Sequence, residues 1–285
     1  MNISTNLIRN LIRAARTQSE LDSVLKYSNY RDCYYAHMLC NEAYFIQKLN
    51  DNDLKKRTIY ESLITSHSVK ELDYMLNAIN KAKYMKFDPL YVESIQIERD
   101  YKFMLEDFGI AERDMMDDLI NAALIFQEVY MNYRLPKQKV LFAQMISNAY
   151  LQIRGHHTFT TFISEAIFSN LPKFNQAILD QDAFINFYLQ LVYAQNHKTL
   201  ERIKATDQLI EANEVVLSTY GDNIVDYLYT HSMFSITNFV ESVNVSYNTA
   251  KKYLRNLVDE GILRSVKVGK HNAFIYDALY TIWNR

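Results

Sequence analysis

Between residues 247 and 255 the chain sets Tyr247, Asn248, Lys251, Lys252 and Arg255 at spacings that share one side of a single helix. Lysine and arginine neutralise phosphate, and tyrosine hydroxyls also reach the sugar–phosphate backbone. An asparagine amide can bond adenine edge-on in the major groove. Together these residue types describe a surface for double-stranded DNA. From Ser246 to Asn272, Lys251, Lys252, Arg255, Arg264, Lys267 and Lys270 stand against only Asp259 and Glu260, in a chain whose formal net charge is −2. Phosphate binding needs such a local positive face rather than a basic protein.

A helix must present those side chains, and the sequence supplies one over 246–260. Ser246 can cap it by accepting a backbone N–H of the first turn. Ala250, Leu254, Leu257 and Val258 form its apolar stripe, and Gly261 stands where a left-handed residue ends a helix. Upstream, Asn223–Met233 reads as a helix with Ile224, Val225 and Leu228 on one face. Thr237–Val243 reads as a second helix, followed by a tight turn through Asn244 and Val245. Downstream, Ile262–Val268 and Asn272–Tyr276 read as strands about a Gly269-Lys270 tip, and Ala278–Trp283 as a closing helix. The expectation is a winged helix-turn-helix over 221–285. Its helix at Ser246–Glu260 would enter the major groove with Tyr247, Asn248, Lys251 and Lys252. Arg255, together with Lys267, Lys270 and His271 of the wing, would hold the backbone. The alternative is a winged helix that packs against protein, its basic stripe merely solvated.

Other chemistry is sparse. Cys33, His37 and Cys40 share a helical face, but three ligands from one helix cannot enclose a tetrahedral zinc without a distant fourth. Buried Cys and His on such a face pack as core. His156 and His157 are adjacent and cannot share a metal from one helix. Asp117, Asp118, Glu61 and Glu128 offer no preferred acid–base pair. Dinucleotide, P-loop, zinc-protease and nucleophile-elbow motifs do not occur in the sequence. The expectation is therefore no catalytic residue, no metal and no cofactor.

The run VSYNTAKKYLRNLVDEGIL, from Val245 to Leu263, with its basic hairpin and Tyr-rich end, resembles the C-terminal winged helix of many bacterial Fic-family proteins. Val245, Ser246, Tyr247, Thr249, Ala250, Leu257, Val258, Gly261, Ile262 and Leu263 carry the match. Phe184, Phe187, Tyr188 and Leu189 resemble the aromatic helix that precedes it in the family. The resemblance implies nucleotidyl transfer by a motif H-P-F-x-x-G-N-G-R, with the His as base and the glycine turn and Arg on the phosphates. The nearest run here is His157-Thr158-Phe159, lacking the Pro, both glycines, the Asn and the Arg. Such a loop cannot approach a phosphate closely. A Fic-like protein with a degenerate site is thus an alternative to the DNA-binding reading, and whether the chain is an enzyme stays open.

The rest of the 285 residues reads as helix. Hydrophobic residues make up 49%, enough for a sizeable core, while 5 Gly and 3 Pro leave few breaks. Leu7, Leu11 and Ala14 give a first stripe. Further helices are expected over Ser19–Leu25 (capped by Ser19), Arg31–Leu49, from Ser68, from Asp88-Pro89, over Tyr91–Asp107 and over Glu112–Asn132. Others follow from Pro136, within Arg154–Asn170, and from an Asp182 cap to about residue 215 as one long helix. No apolar run is long enough for a membrane span, and no signal core opens the chain, which suggests a cytoplasmic protein. The fold expected is mainly α: an N-terminal helical region over 1–90, a helical domain over 91–215, possibly Fic-like, and the winged helix over 221–285 with its small hairpin. The favoured function is a DNA-binding transcriptional regulator, a homodimer through its helical part, with a protein partner as the alternative.

Overall fold

The computed structural model describes residues 4–50, 117–132, 139–153, 162–268 and 271–284. The protein is mainly α with one small antiparallel sheet near its C-terminus. Among the described residues the helices are α1 (Thr5–Tyr27), α2 (Arg31–Leu49), α3 (Asp118–Asn132), α4 (Lys139–Ile153), α5 (Ser164–Ser169), α6 (Leu171–Ala177) and α7 (Gln181–Leu217). A 3-10 turn at Ser218–Tyr220 leads to α8 (Asp222–Thr230), β1 (Met233–Ser235), α9 (Ile236–Val243), α10 (Tyr247–Asp259), β2 (Arg264–Val268), β3 (His271–Ile275) and α11 (Asp277–Asn284). Among the described residues no helix is long and apolar enough to cross a membrane. The helices expected from Ser68, from Asp88-Pro89 and over Tyr91–Asp107 lie outside the described residues, as do Pro136 and the His156-His157 pair.

The chain divides into two units. Described residues 4–26, 45–50, 117–132, 139–153 and 162–198 form the first. Its core is aromatic: the Phe126 ring meets those of Phe174, Phe184 and Tyr188 at centroid distances of 6.3, 5.7 and 5.7 Å. Burying such rings drives helix packing through large apolar areas and offset contacts. Leu7, Ala14, Leu21 and Leu25 bury one stripe of α1. Polar pairs fill the remaining interior. Asn10 Nδ2 donates to Asn186 Oδ1 at 2.7 Å, and Asn196 Nδ2 to Gln18 Oε1 at 2.7 Å. On α5, buried Glu165 takes an ion pair from Lys198 Nζ at 2.7 Å.

Two expectations for this region change. The helices expected before and after Ser19 are one continuous α1, so Ser19 caps nothing. Buried Thr17 spends its hydroxyl on the Ala14 carbonyl, 3.1 Å away, and Gln18 pairs with Asn196, so polar residues that look like a boundary pack inside the helix instead. The long helix expected from Asp182 is present as the 37 residues of α7, but its cap lies two residues earlier: Asp180 Oδ1 accepts from the Ala183 N–H at 2.7 Å.

The second unit takes described residues 27–44, 199–268 and 271–284. Its sheet has the order β1-β3-β2, all antiparallel, with Ile275 of β3 opposite both Met233 and Arg264 and His271 opposite Val268. The helix expected over 223–233 stops at Thr230. His231 turns extended, and Met233–Ser235 pairs with β3 instead. β2 begins at Arg264 rather than Ile262, because Ile262 and Leu263 both give their N–H groups to the Leu257 carbonyl in closing α10. β3 runs 271–275 rather than 272–276: the Tyr276 N–H leaves the ladder for the Ser232 carbonyl at 2.9 Å.

Around the sheet the unit is locked by aromatic and sulfur contacts. The Trp283 ring of α11 stacks on His37 of α2 at 5.2 Å and donates Nε1–H to Thr206 Oγ1 at 3.1 Å. The Tyr229 carbonyl, in the last turn of α8, would be an orphan acceptor. It receives His37 Nε2–H at 2.9 Å and the Cys33 thiol at 2.8 Å. Cys33 and His37 are therefore core bonding partners of a helix end. Burial raises the Cys33 pKa, keeping the thiol protonated.

Candidate nucleic-acid interface

The helix-turn-helix is built from α8, α9 and α10. A capping box fixes the start of α9: Ser235 Oγ accepts the Asn238 N–H at 3.1 Å, and the Ser235 N–H reaches back to Asn238 Oδ1. The turn to α10 needs one left-handed residue, and Asn244 takes it with φ 57°. Asn223 of α8 holds that turn from the side, donating Nδ2–H to the Val243 carbonyl at 3.2 Å. Ser246 then caps α10 through the Thr249 N–H at 3.2 Å, and Gly261 closes it with φ 76°. The sequence-expected helix thus forms, with its ends set by those two residues.

Ala250, Leu254 and Leu257 are fully buried, so the orientation of α10 is fixed by its apolar stripe. Each such leucine contributes roughly 1.5–3 kcal/mol by burial. The opposite face is open: Ser246, Tyr247, Asn248, Lys251, Lys252 and Arg255 are all exposed. Tyr247 is notable at 56% exposure, because a large ring in solvent has no packing role there. Lys251 and Lys252 make no ion pair among the described residues, and Arg255 approaches Asp259 at 3.9 Å. Both carboxylates of the helix end, Asp259 and Glu260, lie at its C-terminal side, leaving the charges of Lys251 and Lys252 uncompensated within the first two turns. There the backbone N–H groups add their own partial positive charge.

In the wing, Lys267 is exposed on β2 opposite Asn272. His271 lies in β3, while Lys270 and Gly269 fall outside the described residues. Arg264, counted in the basic run, forms a paired contact with Asp277, Nη2 to Oδ1 at 2.7 Å, so its charge is locally compensated. Asn256 is an exposed amide on the open face that the sequence reading passed over. Its spacing of four from Lys252 was the available signal. Tyr220 covers the far end of the helix, its ring edge-on to Tyr253 at 5.6 Å and its hydroxyl bonded to the Glu260 carboxylate at 3.1 Å. Two of the carboxylates considered as acids or bases have structural partners: Asp117 Oδ1 caps α3 through the Leu119 N–H at 2.9 Å, and Asp118 accepts the Tyr150 hydroxyl at 2.8 Å, while Glu61 lies outside the described residues.

This constellation is a rigid helix with one buried and one polar face, able to bind phosphate and base edges, or an acidic protein surface. No curated protein matches the chain. Residues 203–279 match the family model described as Protein adenylyltransferase SoFic-like, C-terminal domain, so this segment is similar to the C-terminal domain of those Fic-family proteins.

Proposed function

We propose that the C-terminal unit binds double-stranded DNA through α10, and that the protein acts as a homodimeric transcriptional regulator. The observation that carries this reading is the open face of α10. Tyr247, Asn248, Lys251, Lys252 and Arg255 stand in solvent on a helix whose other face is fixed in a core. The N-terminal half of the helix enters the major groove, with Ser246 and Tyr247 at its tip, and Lys267, Lys270 and His271 of the wing lie along the backbone. Fluorescence anisotropy against a genomic fragment pool across salt tests it. Lys251→Ala/Lys252→Ala/Arg255→Ala should bind at least tenfold more weakly, with a log–log salt slope shallower by about one for each lost phosphate contact. Absence of binding at low salt, or a triple variant binding like the parent, overturns it.

The match over residues 203–279 favours a second reading: a Fic-like chain with a degenerate site, whose C-terminal unit contacts a protein. Under that reading the chain has no salt-sensitive DNA affinity, and the triple variant instead loses capture of a protein partner.

A further inference from the structure

A cavity of about 140 Å³ lies within the second unit, bounded by α2, the end of α8, β1 and α9. Cys40, Met233 and Phe234 give it apolar walls, and His37, Tyr227 and Ser232 are among the polar residues that line it. Tyr227 is 6% and Ser232 1% exposed, yet neither Tyr227 Oη nor Ser232 Oγ has a hydrogen-bond partner. A buried hydroxyl left unpaired costs roughly 1–3 kcal/mol, so two of them beside one cavity call for an occupant that bonds them. The cavity opens beside His231 and Ser242, both exposed, and His231 lies flat on the Tyr227 ring at 4.2 Å.

The lining also limits what can enter. No aspartate, glutamate, lysine or arginine borders the cavity. A charged ligand there would lose its hydration without a counter-charge, at a cost far above what hydroxyls return. The volume is close to that of a cavity of about 150 Å³ that accepts benzene. A purely apolar ring would leave both hydroxyls unpaired. We infer that this cavity is a binding site for a small uncharged single-ring molecule bearing a hydroxyl or ring nitrogen, held between Tyr227, Ser232 and the Met233–Phe234 wall. The inference is independent of what α10 contacts.

Phenol is the probe, with benzoate as its charged counterpart, titrated into the full chain carrying ¹³C-methyl methionine. The Met233 methyl, assigned by Met233→Leu, reports occupancy. Phenol should shift it saturably in the millimolar range, and benzoate should not. Tyr227→Phe should weaken phenol at least fivefold, and Ser242→Phe, which fills the mouth from an exposed position, should abolish the shift while the other methionine signals stay in place. A cavity holding water alone gives no phenol shift at concentrations that leave the fold intact, and this result overturns the inference. So does benzoate binding as well as phenol, or a phenol shift that survives Ser242→Phe.

Discussion

Ser246 shows how much of this protein's behaviour rests on single polar atoms. Its hydroxyl satisfies one of the orphan N–H groups of α10 at 3.2 Å, and it stands beside the exposed Tyr247 and Asn248. Ser246→Ala should cost about 1 kcal/mol in urea unfolding, whereas Ser246→Asp, which keeps an acceptor, should retain most of the stability. The same two variants separate structure from contact. The aspartate restores the cap but places a negative charge where phosphate would approach, so a DNA-binding chain loses affinity in Ser246→Asp even though its fold is kept. At this scale the sequence was informative wherever a residue's role depends on its near neighbours. Ser246 and Gly261 occupy the positions their types predict, and Cys33 with His37 packs as core. The partner that gives those two their meaning, the Tyr229 carbonyl, lies nearly two hundred residues away, and no local pattern points to it.

At the level of elements, legibility followed the strength of the periodic signal. The apolar stripe of α10 spans three turns with a cap at one end and a glycine at the other, so local propensity and tertiary burial agree. β1 is three residues long, all buried, and exists because β3 offers it hydrogen bonds. Three residues carry too little alternation to be told from the end of the preceding helix. The division of α1 at Ser19 failed for the opposite reason: a serine that resembles a cap is harmless on the outer face of a helix held by its buried leucines. Gly261 is where an element depends most on one residue. Its φ of 76° suits glycine, and no atom crowds the position, so Gly261→Ala introduces backbone strain alone. That variant should lose about 1 kcal/mol by thermal or urea unfolding, with the spectrum of the native state unchanged.

For the whole molecule, the second unit gathers segments far apart in sequence. Trp283 meets His37 and Thr206, and Asn213 donates to the Tyr276 hydroxyl at 3.0 Å. A fragment of residues 221–285 lacks these partners, along with the groups that satisfy the Tyr229 carbonyl. Compared with the full chain it should melt at a markedly lower temperature, or without a cooperative transition, by near-UV circular dichroism. Alkaline pH probes both units. Burial pushes the Tyr188 pKa in the first unit and the Tyr276 pKa in the second up to about 12. An acid with a raised native pKa holds its proton in the fold but releases it near 10 when unfolded, so its contribution is intact below pH 10 and lost as pH rises to about 12. Stability should therefore fall steadily over that interval. Tyrosinate absorbance should rise in step with unfolding, and Tyr188→Phe should flatten the dependence.

The order of strands in the sheet carries a consequence for how the protein is made. β3 is the last strand to be synthesised, yet it is the central one, and neither β1 nor β2 has another partner in the sheet. On the ribosome the helix-turn-helix emerges with both of its neighbouring strands unpaired, and their N–H and C=O groups stay open until residue 275 clears the exit tunnel. The sheet beside the helix-turn-helix is thus completed only after β3 has been made, when both outer strands gain their partner together. A message truncated before β3 yields the helix-turn-helix with β1 and β2 left unpaired.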